Sequence, residues 1–284
     1  MDSYCFLNGR IVPLTEAKVR VDDIGLLRGY GIYDGLAVFK GKVFHFADHW
    51  NRLLSGAHIL NLNVPVTEEK AEKIIGELAL KNGFMERANV RIILTGGSTL
   101  GGIEYNFEDP TFYILVEKWD PLPQELYENG AKLLTYHHMR ELPEYKTTNY
   151  IRAVNLQNWR KEEKAVEILY THDGEVLECS TSNIFIVKNL PAQAGKTLIT
   201  PAENMLKGIT RKIILELASN KYKIEERRVE EGELKMADEV FITSSFKDIV
   251  PIVKIDDFEV ADGKVGEVTK DLMLSFGQYI AYFS

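Results

Sequence analysis

The stretch Ile199-Thr200-Pro201-Ala202-Glu203-Asn204-Met205-Leu206-Lys207-Gly208-Ile209-Thr210-Arg211 carries the sharpest local signal in the chain. Gly208 stands directly before a run in which Ile209, Ile213, Ile214, Leu217 and Ala218 share one helical face, so the spacing predicts a helix from Ile209 to about Ser219. The first amides of such a helix, those of Ile209 and Thr210, have no partner within it. With the Thr210 hydroxyl and the helix dipole they make a ready anion pocket. An ordinary helix start satisfies the same pattern, and no Walker-type G-x-x-x-x-G-K-[ST] loop is present. Around this stretch, strands are expected at Ala131–Tyr136, Glu167–Thr171, Asn183–Lys188 and Glu239–Thr243. Further helices are expected near Asn149–Lys164 and Gly266–Tyr282.

The first half reads differently. Asn8-Gly9 and Lys40-Gly41 each lie between apolar runs, Tyr4 to Leu14 and Leu36 to Phe46, and both predict hairpins. Trp50, Leu53, Leu54 and Ala57 recur at helical spacing from Ala47, with Asp48 as the expected cap. Thr67 caps a clearer helix, Ala71, Ile74, Ile75, Leu78 and Ala79 form its stripe, and Gly83 ends it. Strands at Asn89–Thr95 and Thr111–Glu117 flank a glycine-rich loop, Gly96 to Gly102. The prolines of Trp119-Asp120-Pro121-Leu122-Pro123 stiffen an extended linker. The expected organisation is an N-terminal domain over residues 1–118, a linker over 119–123 and a C-terminal domain over 124–284. Hairpins with interspersed helices favour an α/β chain of the α+β kind, two such domains, over a doubly wound parallel sheet.

Composition narrows the function classes. The chain has 284 residues, 45% of them apolar and 27% charged, which fits an ordered globular protein. Its net charge of −8 speaks against a nucleic-acid partner. No run approaches the roughly 18 apolar residues of a membrane span, and the opening Met1–Arg10 has no leader-like pattern, so no membrane contact and a cytoplasmic location are expected. Cys5 and Cys179, far apart, fit a reducing compartment. His45 and His49 straddle a strand-to-helix junction and His137-His138 point to opposite sides of a strand, so no metal site is expected.

Single residues carry chemistry only in context. Lys146, in Glu144-Tyr145-Lys146-Thr147-Thr148-Asn149-Tyr150, is placed to form a Schiff base if partly buried, although most lysines are solvated. Glu178 precedes Cys179-Ser180-Thr181-Ser182-Asn183 and, at a strand's start, suits a protonated ring nitrogen; a turn carboxylate explains it equally. Ser244 and Ser245, after Thr243, offer hydroxyls and amides to a phosphate or simply end a strand. Arg52 lies off the apolar stripe of its helix, facing either an anion or solvent.

Together these segments resemble the class IV aminotransferases, the fold-type IV pyridoxal-phosphate enzymes. The likeness spans nearly the whole chain and is strongest from Tyr145 to Gly266. There Leu206-Lys207-Gly208-Ile209-Thr210-Arg211, Glu178 with its Ser/Thr/Asn run, and Ala261-Asp262-Gly263-Lys264-Val265-Gly266 are similar to D-amino-acid aminotransferase. The resemblance implies pyridoxal 5′-phosphate in the cleft between two domains. Lys146 would join its aldehyde covalently and then shuttle a proton, and Glu178 would face the pyridine nitrogen. Arg52, Gly208, Ile209, Thr210, Ser244 and Ser245 would surround the phosphate. Leu206 would pack on the ring, and Tyr150 would approach its phenolic oxygen. It also implies a homodimer.

The same resemblance leaves the substrate open. The family's Arg-x-His pair has no counterpart in Gly96-Gly97-Ser98-Thr99-Leu100-Gly101-Gly102. The F-E-G-x-R arginine is missing from Ala37-Val38-Phe39-Lys40-Gly41, and Ala37 stands where a tyrosine follows D-G-V. Arg28, Tyr30 and Lys40 are the candidates to grip a substrate carboxylate instead. The Arg28 to Asp34 stretch, shared with divergent D-amino-acid enzymes, tilts the expectation towards amino transfer from a small D-amino acid to a 2-oxo acid such as 2-oxoglutarate or pyruvate. The rivals are a branched-chain L-amino-acid aminotransferase, an aminodeoxychorismate lyase releasing pyruvate, and a cofactor-binding protein without turnover.

Overall fold

The computed structural model describes residues 3–189 and 195–283, which divide into two compact units. Unit 1 comprises the chain up to Asp120, then Tyr145–Tyr150 and Phe283. Asn8 and Gly9 take positive φ (43° and 91°), which suits the twist of a tight hairpin, and join β1 (Tyr4–Leu7) to β2 (Arg10–Pro13). The Asp23 carboxylate caps α1 (Ile24–Arg28) by accepting from the Gly25 amide at 2.7 Å. Lys40-Gly41 turns β3 (Gly31–Phe39) into β4 (Lys42–Val43), as its sequence predicts. α2 (Phe46–Ile59) begins at a left-handed His45, not at an Asp48 cap; Asp48 lies in the first turn, bonded to His45 Nδ1. α3 (Glu68–Asn82) runs from the Thr67 cap to Gly83, as expected. β5 (Arg87–Thr95), β6 (Thr99–Gly101), β7 (Glu104–Tyr105) and β8 (Thr111–Lys118) complete the unit.

Its main sheet is antiparallel, in the order β2-β1-β8-β5-β3-β4. Leu36, Ile92, Leu94, Phe112 and Ile114 of the sheet pack with Trp50 and Leu53 of α2 and Ile75 and Leu78 of α3. Burying each such side chain contributes about 1.5–3 kcal/mol.

The Tyr145–Tyr150 segment joins this unit although the sequence places it after the linker. β4 covers only the far end of β3, at Val38 and Phe39. The start of β3 is therefore free to donate from Tyr33 N to Lys146 O and to accept at Gly31 O from Thr148 N, both at 2.9 Å. The Thr148 hydroxyl adds a bond to Gly29 O. Paired backbone, not chain order, assigns the segment.

Unit 2 holds α4 (Gln124–Glu128), β9 (Ala131–His137), α5 (Ile151–Asn155), α6 (Gln157–Glu162), β10 (Glu167–His172) and β11 (Glu175–Cys179). It continues through β12 (Asn183–Asn189), β13 (Lys196–Thr200), α7 (Ile209–Ala218), β14 (Lys223–Glu226) and α8 (Glu231–Leu234). β15 (Glu239–Ser244), β16 (Asp248–Ile255), β17 (Phe258–Glu259) and all but the last residue of α9 (Glu267–Phe283) close it. The helix expected over Asn149–Lys164 is interrupted at Leu156 into α5 and α6. Glu239 closes the start of α9 by accepting from the Val268 and Thr269 amides.

The mixed sheet runs β11-β10-β9-β16-β15-β12-β13-β14. Laid flat, β11 and β12 would lie five strand spacings apart, roughly 24 Å. The chain joins them through residues 180–182, a link that reaches about 14 Å at most. The sheet therefore curls like a half-barrel until the end of β11 meets the start of β12. Each unit mixes helices with strands, in keeping with the expected α+β class.

Candidate active site

In unit 1 the start of β3 gathers a charged cluster. Lys146 Nζ lies 4.7 Å from the centre of the Tyr33 ring, a cation over an aromatic face. Tyr150 meets Tyr33 edge-on at 5.6 Å between ring centres. Asp34, next on the strand, is fully buried. Its carboxylate accepts from Arg52 Nε and Nη2, each at 2.8 Å, and from His49 Nδ1 at 2.7 Å. Arg52 therefore does not face open solvent: leaving the apolar stripe of α2 brings it to Asp34, and its side chain is 13% exposed.

The electrostatics follow from this burial. Burial alone would raise the Asp34 carboxyl, but the Arg52 guanidinium and His49 outweigh it and hold it well below the usual carboxylate range. Burial pushes His49 down, with Arg52 and Lys146 adding to the effect against the pull of Asp34. His49 is thus neutral near pH 7, and because Asp34 only accepts, Nδ1 carries the proton. Arg52 stays charged, since Asp34 more than offsets the burial that opposes it. The arrangement fixes one guanidinium beside a lysine and two phenolic rings.

Unit 2 carries the second cluster. Glu178 lies near the end of β11, not at the start of the next strand as its sequence context suggests. Arg140 Nε donates to its Oε1 at 2.7 Å, and the Leu206 amide to its Oε2 at 3.1 Å. The two charged side chains are 10% and 7% exposed. Asn183 Nδ2 donates to Leu206 O at 2.7 Å, so the Leu206 backbone bridges Glu178 and Asn183.

Behind Leu206, α7 starts at Gly208 with no side chain capping it, which leaves the Ile209 and Thr210 amides available to a ligand. Gly208 is required by space: a Cβ there would stand 2.2 Å from Asn183 Oδ1. Thr210 and Ile209 are buried, and Arg211 turns inward to Pro201 O and Glu226. Ser244 accepts from the Lys247 amide at 3.3 Å, and Ser245 beside it is half-buried. The neighbouring Thr243 hydroxyl is buried and has no hydrogen-bond partner among the described residues. An uncapped helix start, an orphaned hydroxyl and a glycine forced by close approach fit a phosphate-bearing cofactor.

The expected carboxylate-binding residues are not all brought to Lys146. Lys40 lies in the β3–β4 turn, seven residues or roughly 24 Å along the strand from Tyr33. The Tyr30 hydroxyl is committed to Leu60 O at 2.5 Å. Burial first, then Tyr105, pushes it up to about 12. Arg28 ends α1, exposed, with Nη1 on Leu27 O. Sequence reasoning missed Tyr33, Asp34, His49, Arg140 and Asn183; the pairing of Arg140 with Glu178 spans 38 residues and leaves no local trace. At the ends of β9 and β10, His137, His172 and Asp173 bring ligand atoms within 4.8 Å of one another, a grouping that the adjacent pair His137-His138 does not suggest.

Comparison with known proteins identifies the family of the chain. The amino-transferase class IV family matches residues 31–255. A D-alanine aminotransferase of Staphylococcus haemolyticus is 30% identical over 97% of both chains. Branched-chain-amino-acid aminotransferase-like protein 1 of Arabidopsis thaliana is 34% identical over 95% of this chain, which spans 49% of that relative. The crystal structure of the Escherichia coli branched-chain amino acid aminotransferase superposes with a TM-score of 0.89 at 23% identity, over 99% of this chain and 95% of that one. The T.th. branched-chain amino acid aminotransferase with pyridoxamine 5′-phosphate gives 0.89 at 24%, over 99% and 94%. The buried Glu178–Arg140 pair, the uncapped start of α7 and the lysine on Tyr33 lie on a chain that belongs to the class IV aminotransferases, enzymes that work with pyridoxal 5′-phosphate.

Proposed function

We propose that the protein moves the amino group of a small amino acid, a D-amino acid in preference, to a 2-oxo acid such as pyruvate or 2-oxoglutarate. Bound pyridoxal phosphate supplies the electron sink for this chemistry. In this reading Lys146 is the amine that holds the cofactor and, when released, carries the proton to and from the substrate Cα. Glu178 accepts from the cofactor's ring N–H. Arg52, the Ile209 and Thr210 amides, the Thr210 hydroxyl, Gly208, Ser244 and Ser245 hold its phosphate. Leu206 packs on the ring and Tyr150 approaches the ring oxygen.

The observation that carries the reading is the Glu178–Arg140 pair. A carboxylate buried at 7% exposure and oriented by a guanidinium is the kind of partner that favours a protonated ring nitrogen. Simple binding of a phosphate requires neither, which speaks against a protein without turnover.

The D-amino-acid preference is supported by the Arg28 to Asp34 stretch and by the Staphylococcus haemolyticus relative. The branched-chain reading is supported by the Arabidopsis relative. A panel of D- and L-amino acids given to the loaded enzyme, with the visible absorbance of the bound cofactor followed, separates them. Fastest conversion with a D-amino acid supports the proposal; conversion with L-leucine or L-valine alone overturns it, and pyruvate release without an amino acceptor would indicate a lyase. We further propose a cytoplasmic homodimer. Its support is the pair of buried free cysteines, Cys5 and Cys179, and exposed apolar residues such as Val21, Leu26, Leu100 and Ile103. Light scattering in solution tests the dimer.

A further inference from the structure

One buried carboxylate in unit 2 has no place in the chemistry above. Glu167, at the start of β10, is 2% exposed. It accepts from Ser180 Oγ at 2.9 Å, from Thr181 N and Oγ1 at 2.8 Å each, and from Ser182 Oγ and Lys247 Nζ. Lys247 Nζ also reaches Thr181 Oγ1 at 2.6 Å, and its backbone amide donates to Ser244 Oγ. Every hydrogen-bonding side chain of the turn joining β11 to β12 is therefore committed to a single group. The turn adds its own Cys179 N to Ser182 O bond of 2.8 Å.

The position of that group matters. The turn lies where the curled sheet brings β11 to β12, and its two ends carry Glu178 and Asn183. Asn183 in turn holds Leu206 O, two residues before Gly208. Lys247 belongs to the turn between β15 and β16, which carries Ser244 and Ser245. We propose that Glu167 is a positioning residue for the cofactor site: with Lys247 it locks the Ser180–Ser182 and Ser244–Lys247 turns to each other and so sets where Glu178, Asn183, Ser244 and Ser245 stand. This rests on the assignment of Glu178 and the serines given above.

Burying the Glu167 carboxylate is costly unless its five donors stay in place. A residue that merely closes the sheet would need the pair for stability alone. A positioning residue also sets the environment of the cofactor's ring, and misplacing a reacting group by an ångström costs about 100-fold.

The test compares wild type with Glu167→Gln, Thr181→Val and Glu178→Gln. Pyridoxal phosphate is titrated into each cofactor-free protein, and the visible band of the bound cofactor is then followed against pH. The expected result for Glu167→Gln is a dissociation constant raised about 10- to 100-fold with the pH profile of the band displaced in the same direction as in Glu178→Gln. Thr181→Val, which keeps the ion pair and removes one donor, should give a smaller displacement of the same sign, and it decides the matter if Glu167→Gln does not fold. Folded variants with a wild-type profile and affinity within twofold, beside an altered Glu178→Gln, overturn this inference alone. A wild-type profile in Glu178→Gln overturns the underlying assignment instead.

Discussion

Replacing Asp34 by asparagine removes one charge and leaves the shape of the site nearly unchanged. In the native protein that carboxylate accepts two bonds from Arg52 and one from His49, with the Asp34 side chain 1% exposed. Breaking a buried ion pair by neutralising one partner costs about 3–5 kcal/mol. Arg52 retains 13% exposure, so water relieves part of its isolation and the low end, about 3 kcal/mol, is expected. For a chain of this size that corresponds to a Tm lowered by roughly 6–12 °C. The pH dependence has a definite sign. The folded pKa of Asp34 is depressed, so its contribution is complete above the unfolded value near 4 and disappears as pH falls through the folded one. His49 adds a smaller trend, because losing Asp34 lowers it further and widens the gap slightly as pH falls below about 6.5. Thermal unfolding of cofactor-free wild type and Asp34→Asn, monitored by circular dichroism from pH 7 to pH 3, measures both effects. The gap should be largest near pH 5 and narrow below about pH 4. A loss below about 1 kcal/mol at pH 7, or a gap unaffected by acid, would refute the argument that burial makes this pair matter.

Other perturbations probe unit 2. Arg140→Met leaves the Glu178 carboxylate with the Leu206 amide; the expected loss is about 10- to 100-fold in kcat, as when a partner behind a functional group is removed, with the protein still folded by circular dichroism. Gly208→Ala puts a methyl 2.2 Å from Asn183 Oδ1, so Asn183 must release Leu206 O or α7 must shift. The expected destabilisation is about 1–3 kcal/mol, and weaker cofactor binding in a spectroscopic titration should accompany it.

What the sequence made legible was local or repeated. The helix from Thr67 to Gly83 could be read because its cap, stripe and stop lie within one segment. The Asn8-Gly9 hairpin needs only two residues. Strand β16 was not among the expected strands, and its Pro251 argues against an interior one. The structure accommodates it: Pro251 stands opposite Phe241 of β15, and pairing with β9 begins only at Ile252. Lys146, Glu178 and Thr210 were recognisable through their ordered motifs. The Arg140 partner of Glu178 was not, nor were Asp34 and His49 beside Arg52, because only folding brings these side chains together. The placement of Arg52 shows the limit of helical periodicity, which says which face leaves the helix's own core but not what another strand places there. Lys40 shows the complementary error, since seven residues along an extended strand carry a charge far from its presumed target.

Lys146 is proposed as the residue that carries the cofactor. Reducing the loaded enzyme with borohydride and mapping its peptides by mass spectrometry tests it directly. The expected product is a phosphopyridoxyl group on the peptide containing Lys146, absent in Lys146→Ala. A label on Lys207, Lys247 or another lysine of the folded enzyme, with Lys146 unmodified, would contradict it.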